Sequence, residues 1–142
     1  METSKVPVNI KLITEINDTG SKDVTTIEET GNFYQKGNIS VLTFTEHSED
    51  QEDVSAMITI LQDKVSVKRT GAVDMHQVFK KKKKTENTFK HAYGTMHMET
   101  YTDQITYEQS ANDKKGKLFI SYTTRLNGEI DRRHRLTLFF TK

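Results

Sequence analysis

Gly116-Lys117-Leu118-Phe119-Ile120-Ser121-Tyr122-Thr123-Thr124-Arg125-Leu126-Asn127-Gly128-Glu129-Ile130-Asp131-Arg132-Arg133-His134-Arg135-Leu136-Thr137-Leu138-Phe139-Phe140-Thr141 reads as two strands folded back on each other at Asn127-Gly128. Leu118, Ile120, Tyr122, Thr124 and Leu126 share one face on the way out, and Leu136, Leu138 and Phe140 share one on the return. A period of two is that of a half-buried antiparallel strand. A two-residue turn would set Ile120 against Arg135 and Tyr122 against Arg133, apolar against charged. A three-residue loop, or a bulge after the turn, shifts the register by one. Leu118 then meets Leu138, Ile120 meets Leu136, Tyr122 meets His134 and Thr124 meets Arg132. This second register is the expected one. Its inner face is apolar at one end and carries Tyr122, Thr124, Arg132 and His134 toward the other.

Toward the N-terminus the same period recurs. Val6, Val8, Ile10, Leu12, Thr14 and Ile16 alternate in a first strand, with Pro7 near its start where a missing amide is tolerated. Turn residues follow at Asp18-Thr19-Gly20-Ser21. A weaker strand from about Val24 to Tyr34 leads through Lys36-Gly37-Asn38 into Ile39 to Thr45, which is apolar on both faces. Val54 to Gly71 is a second clear hairpin. A turn at Gln62-Asp63 pairs Ile60 with Val65, Ile58 with Val67 and Ala56 with Arg69, so Arg69 continues an inward face. Met75 to Phe79, Thr85 to Tyr93, Gly94 to Tyr101 and Ile105 to Ser110 read as further short strands, and no stretch shows a capped helical period. About ten strands at such spacing predict an all-β fold, an antiparallel up-and-down barrel of about 8–10 strands, which leaves no open edge.

Size and composition set the outer bounds. The 142 residues are expected to form a single β-barrel domain spanning residues 1–142. Only 33% are hydrophobic, which suits a sheet with one face in water. The 21 basic and 20 acidic residues nearly cancel, so nucleic acid or an anionic membrane could be attracted only by a local patch. The absence of cysteine excludes disulfides, zinc-thiolate sites and thiol catalysis. Met1-Glu2-Thr3-Ser4-Lys5 lacks the apolar run of a signal peptide and no stretch reaches the length of a membrane span, so a cytoplasmic protein is expected.

Several short segments resemble the YwiB-like proteins of Gram-positive bacteria. They are Val65-Ser66-Val67-Lys68-Arg69-Thr70-Gly71, Met75 to Phe79, Tyr93-Gly94 ahead of a strand ending at Thr100, and Gly116 to Tyr122. The resemblance runs from Val8 to Phe140 and implies a calycin-like, lipocalin-type barrel and a bacterial, cytoplasmic setting, with no reaction attached. The run Lys80 to Lys84 departs from the pattern, where a glycine-containing turn is expected.

The sharpest candidate site is an anion site inside the barrel formed by Arg69, Tyr122, Arg132 and His134. Guanidinium forks and a tyrosine hydroxyl hold a carboxylate or phosphate by charge-assisted bonds, while an apolar wall takes the ligand's tail. A buried guanidinium also needs a carboxylate partner, for which Glu28 and Glu99 are the candidates for Arg69. The second candidate is the surface patch Lys80, Lys81, Lys82, Lys83 and Lys84, which would touch RNA or a protein partner; solvated lysines that discourage strand-edge pairing are the plainer alternative.

His47, His76, His91, His97 and His134 show no metal-ligand spacing, and Glu49, Asp50, Glu52 and Asp53 lack the pattern of a calcium loop. Nucleophile elbows and phosphate loops are missing too, so no enzyme activity, metal or cofactor is expected. Met57, Met75, Met96 and Met98 are read as core fillers. The expected function is non-enzymatic binding of a small anionic or amphiphilic molecule in the barrel, by a monomer or a homodimer, with outer-face Phe119 and Phe139 read either as a dimer contact or as cover for part of the core beneath a loop.

Overall fold

Ten antiparallel strands, each bonded to the next in sequence, close on themselves where β1 meets β10. The computed structural model describes residues 5–18, 20–47, 52–71, 73–91, 94–112, 114–128 and 131–142. The strands are β1 (Val6–Asp18), β2 (Ser21–Lys36), β3 (Ile39–Glu46), β4 (Val54–Ile60) and β5 (Lys64–Gly71), followed by β6 (Asp74–Lys80), β7 (Lys84–His91), β8 (Gly94–Gln109), β9 (Lys115–Leu126) and β10 (Arg132–Thr141). No helix among the described residues is long and apolar enough to cross a membrane.

Both hairpins have the expected register. In β9 and β10, Leu118 pairs with Leu138, Ile120 with Leu136, Tyr122 with His134 and Thr124 with Arg132. Asn127 and Gly128 lie in the left-handed region with φ of 50° and 73°, which asparagine and glycine tolerate best. The turn is tied to β8, with the Asn127 amide donating to the His97 carbonyl at 2.8 Å and the His97 amide donating to Asn127 Oδ1 at 2.9 Å. In β4 and β5, Ile60 pairs with Val65, Ile58 with Val67 and Ala56 with Arg69.

Two segments differ from the reading of the sequence. The two strands read from Gly94 to Tyr101 and from Ile105 to Ser110 are one strand, β8, which ends at Gln109, because a bulge between Thr102 and Gln104 absorbs the break in alternation. Met57 is not a core filler. Ala56 and Ile58 point inward, so the period of two puts Met57 on the outer face, where it is exposed. Met98 is buried, and Met75 and Met96 are half-buried. Tyr93, Glu49 and Asp50 lie outside the described residues.

The core is concentrated at the closed end of the barrel. Phe33, Leu42, Ile60, Val65, Leu118, Leu138 and Phe140 are essentially without solvent contact there, and Phe33 stacks on Phe140 at 4.6 Å between ring centroids. Burying a side chain of this size contributes roughly 1.5–3 kcal/mol. Val8, Ile10 and Leu12 on β1, Ile58, Ile60 and Val65 in the β4–β5 hairpin, and Leu118, Ile120, Leu136 and Leu138 in the β9–β10 hairpin are all buried, while Thr14, Ile16, Val67 and Leu126 are half-buried and Arg132, at the end of its inward series, is exposed.

The wall is thinnest between β6 and β7, where the ladder holds only Asp74 with Lys90 and Met75 with Phe89. Side chains close the remainder. Gln77 Nε2 donates to Thr100 Oγ1 at 2.9 Å, passing from β6 to β8, and the Thr85 hydroxyl donates to the Val78 carbonyl. The lysine run bonds to β8 with its backbone: the Lys82 amide donates to the Thr102 carbonyl at 2.7 Å and the Thr102 amide to the Lys83 carbonyl at 3.2 Å.

Candidate functional site

At the opposite end the inward positions change character. On β1 the inward series passes from Leu12 to Thr14 and Ile16, on β3 from Phe44 to Glu46, on β5 from Val67 to Arg69, and on β10 from Leu136 back to His134 and Arg132. The side chains stop filling the barrel, and a cavity of about 450 Å³ opens among them. Its deep wall is apolar, from Leu12, Ile27, Ile58, Phe79 and Leu136, and its rim carries Glu46, Arg69, Thr124, Arg132 and His134. Arg69, Tyr122, Arg132 and His134, the four residues read from the sequence as one cluster, all line it.

Each guanidinium has a carboxylate beside it. Arg69 donates to Glu46 through Nε at 2.9 Å and Nη2 at 2.7 Å, a two-bond fork. Glu46 takes the place expected of Glu28 or Glu99. It is positioned because Phe44, Ala56 and Arg69 lie in one row across β3, β4 and β5, and Glu46 follows Phe44 on the inward face. Arg132 meets Asp18 at 3.2 Å across the junction of β10 and β1. The two side-chain pairs leave the rim close to electrically balanced.

The Tyr122 ring lies between Phe79 and His134. It is tilted against Phe79 at 4.6 Å and parallel to the His134 imidazole at 4.6 Å and 4°. Burial pushes the Tyr122 hydroxyl well above the ordinary tyrosine range, offset in part by the positive charge of Arg69, so it stays a neutral phenol. His134 Nε2 and Thr124 Oγ1 are 2.7 Å apart. Burial, reinforced by the neighbouring Arg132 charge, lowers His134 to about 4, so its ring is neutral at pH 7. Donors and acceptors at the rim are therefore Tyr122, Thr124, a neutral imidazole and two compensated guanidiniums.

The other sequence candidates do not join this cluster. Lys80 to Lys84 are exposed from the end of β6 to the start of β7 at the closed end, and two of them hold carboxylates: Lys82 Nζ lies 3.0 Å from Asp103 and Lys84 Nζ 3.8 Å from Glu99. His47 is 3.2 Å from Asp53 and His76 bonds Ser66 at 2.7 Å, both outside the barrel. On the outer face of β7 and β8, ligand atoms of Glu86, His97 and Glu99 lie within 4.8 Å of one another, with the Lys84 ammonium already beside Glu99. A shallow groove of about 630 Å³ runs over the outside of β2 to β5, lined by Thr30, Thr43, Ser55, Lys68 and Thr70, and opens to solvent. Phe119 is half-buried, and outer-face Phe139 is capped by the Lys117 ammonium at 5.6 Å from its ring.

Comparison with known proteins gives a consistent family. Residues 10–138 match the model of the domain of unknown function DUF1934. The chain is 26% identical over 136 residues to the uncharacterised β-barrel protein YwiB of Bacillus subtilis, covering 96% of this chain and 94% of that one. It also superimposes on the crystal structure of YwiB from Bacillus subtilis with a TM-score of 0.86, over 96% of this chain and 92% of the other.

Proposed function

Given that the chain belongs to the DUF1934 family, we propose that its barrel binds a small amphiphilic molecule, with the apolar body in the cavity and the polar end at the rim. The observation that carries this reading is the cavity itself. At about 450 Å³ it falls within the roughly 300–1,000 Å³ of small-molecule sites, with the apolar wall and few convergent polar groups those sites have. The reading is non-enzymatic. The imidazole is stacked on Tyr122 and bonded to Thr124, and both guanidiniums hold carboxylates, which suits recognition better than proton transfer. The same proposal puts the protein in the cytoplasm, where a cysteine-free chain loses nothing to reduction.

Contact with RNA or protein through Lys80 to Lys84 has less support, because the backbone of that run is bonded to Thr102 of β8 and Lys82 and Lys84 are engaged by Asp103 and Glu99.

Decanol, an uncharged single-chain amphiphile, tests the cavity without invoking any charge. Calorimetric titration is expected to give saturable binding with a negative heat-capacity change. Val67→Phe, which puts a ring into the cavity, should remove the binding while the urea midpoint shows that the barrel remains folded. Failure of decanol to bind the wild-type protein, with equal native and denatured masses for the purified protein, would sink the reading.

A further inference from the structure

The two arginines of the rim are built for different tasks. Arg69 and Glu46 are joined by two short bonds, and their side chains are 33% and 14% exposed. Separating them would strand a carboxylate in the barrel wall. Arg132 and Asp18 meet at 3.2 Å, with side chains 50% and 36% exposed, at the lip of the cavity. Both of these can be rehydrated when parted, so the pair is a weak one.

Below Arg132 the wall is continuous with the apolar depth of the cavity. His134 is opposite Ile16 and Leu136 is opposite Thr14, with Leu12 one step further in. Arg132 and Leu136 are four residue steps apart along β10, about 13 Å of wall for a tail to lie along.

Resting on the binding reading above, we infer that the ligand is a single-chain carboxylate amphiphile whose head group takes Arg132 in exchange for Asp18, while Arg69 stays locked to Glu46. The exchange conserves charge, because one carboxylate leaves the guanidinium as another arrives, and Asp18 is already partly exposed to water where it stands. A monoanion fits better than a dianion. The neutral imidazole of His134 adds no cation, and the positive charge of Arg69 is already matched. Burial of the tail supplies the driving force, and Asp18 acts as a built-in competitor that keeps Arg132 paired in the empty barrel.

Decanoate and decanol share a tail and differ in the head group, so the ratio of their affinities isolates the exchange. Measured by calorimetry at pH 7, wild-type protein should prefer decanoate. Asp18→Asn removes the competitor and should raise the decanoate-to-decanol ratio about twofold to fivefold, the worth of an exposed ion pair. Arg132→Met should bring the ratio to about one. An Asp18→Asn ratio equal to that of wild type, or a preference that survives in Arg132→Met, overturns the inference while leaving the cavity reading standing. If neither probe binds wild-type protein, the cavity reading falls and this inference with it. Should Arg132→Met not fold, the isosteric Asp18→Asn variant decides alone.

Discussion

Removing the charge from Glu46 tests the locked half of the rim. Glu46→Gln keeps the side chain's size but replaces one of the two oxygens that accept from Arg69 with an amide donor. Breaking a fully buried pair costs about 3–5 kcal/mol, and breaking an exposed one about 0.2–1 kcal/mol. Here the carboxylate is 14% exposed and the guanidinium 33%, so Arg69 recovers part of its hydration. The expected loss lies between those limits, about 2 kcal/mol. In urea, with a slope of about 1–3 kcal/mol/M, the midpoint should fall by roughly 1 M. Arg69→Met should lose at least as much, since it leaves the less exposed partner alone. The double variant should lose much less than the sum, giving a coupling energy of about 2 kcal/mol. Asp18→Asn in the same assay should lose under about 1 kcal/mol. Additive losses, or an Asp18 variant as damaging as the Glu46 one, would refute the claim that the two pairs differ in kind.

Acid should weaken the fold through His134. Its folded value of about 4 lies below the ordinary 6.5, so as pH falls the unfolded chain takes the proton first. The contribution is complete above about pH 6.5 and drains away toward pH 4, on the order of 3 kcal/mol in all. Urea midpoints at pH 7 and 4.5 should differ more in wild-type protein than in His134→Gln, and equal differences would remove His134 as the cause. Gly116→Ala should lower the melting temperature, because its Cβ would run into the Phe140 ring, itself stacked on Phe33. Overpacking of this kind costs about 1–3 kcal/mol, or several degrees, and an unchanged melt would mean that the closed end is looser than described.

How much of the barrel and its site is legible in the sequence depends on how far apart the interacting residues are. The β9–β10 and β4–β5 registers need only local alternation and a turn, and these alone put Tyr122 beside His134 and Arg69 opposite Ala56. Glu46 is within reach of the same reasoning. The row extends from Ala56 to Phe44, and one more inward step gives Glu46, but a strand closed at Thr45 hides it. Asp18 is not. It comes to Arg132 only because the first strand pairs with the last, and nothing local in either strand specifies that closure. The convergence of Glu86, His97 and Glu99 is local by contrast, since it needs only the register of the consecutive strands β7 and β8. The continuity of β8 is hidden for another reason. A bulge inserts one residue, which looks in sequence like the end of one strand and the start of another.

The unequal filling of the two barrel halves bears most directly on function. Phe33, Leu42, Ile60, Leu118, Leu138 and Phe140 leave no room at the closed end. Toward the mouth the same strands carry shorter or polar inward residues: Thr14 on β1, Ala56 on β4, Thr124 on β9, and His134 with Arg132 on β10. Register does not require these choices, because leucine or valine at each position would keep the alternation intact. Larger apolar residues there would bury more surface at about 25 cal/mol per Å² and yield a more stable, fully packed barrel. A chain selected for stability alone would drift toward that filling. Retaining a partly polar, unfilled half runs against the local rule that the closed half follows, and such departures concentrate where a protein has something to bind.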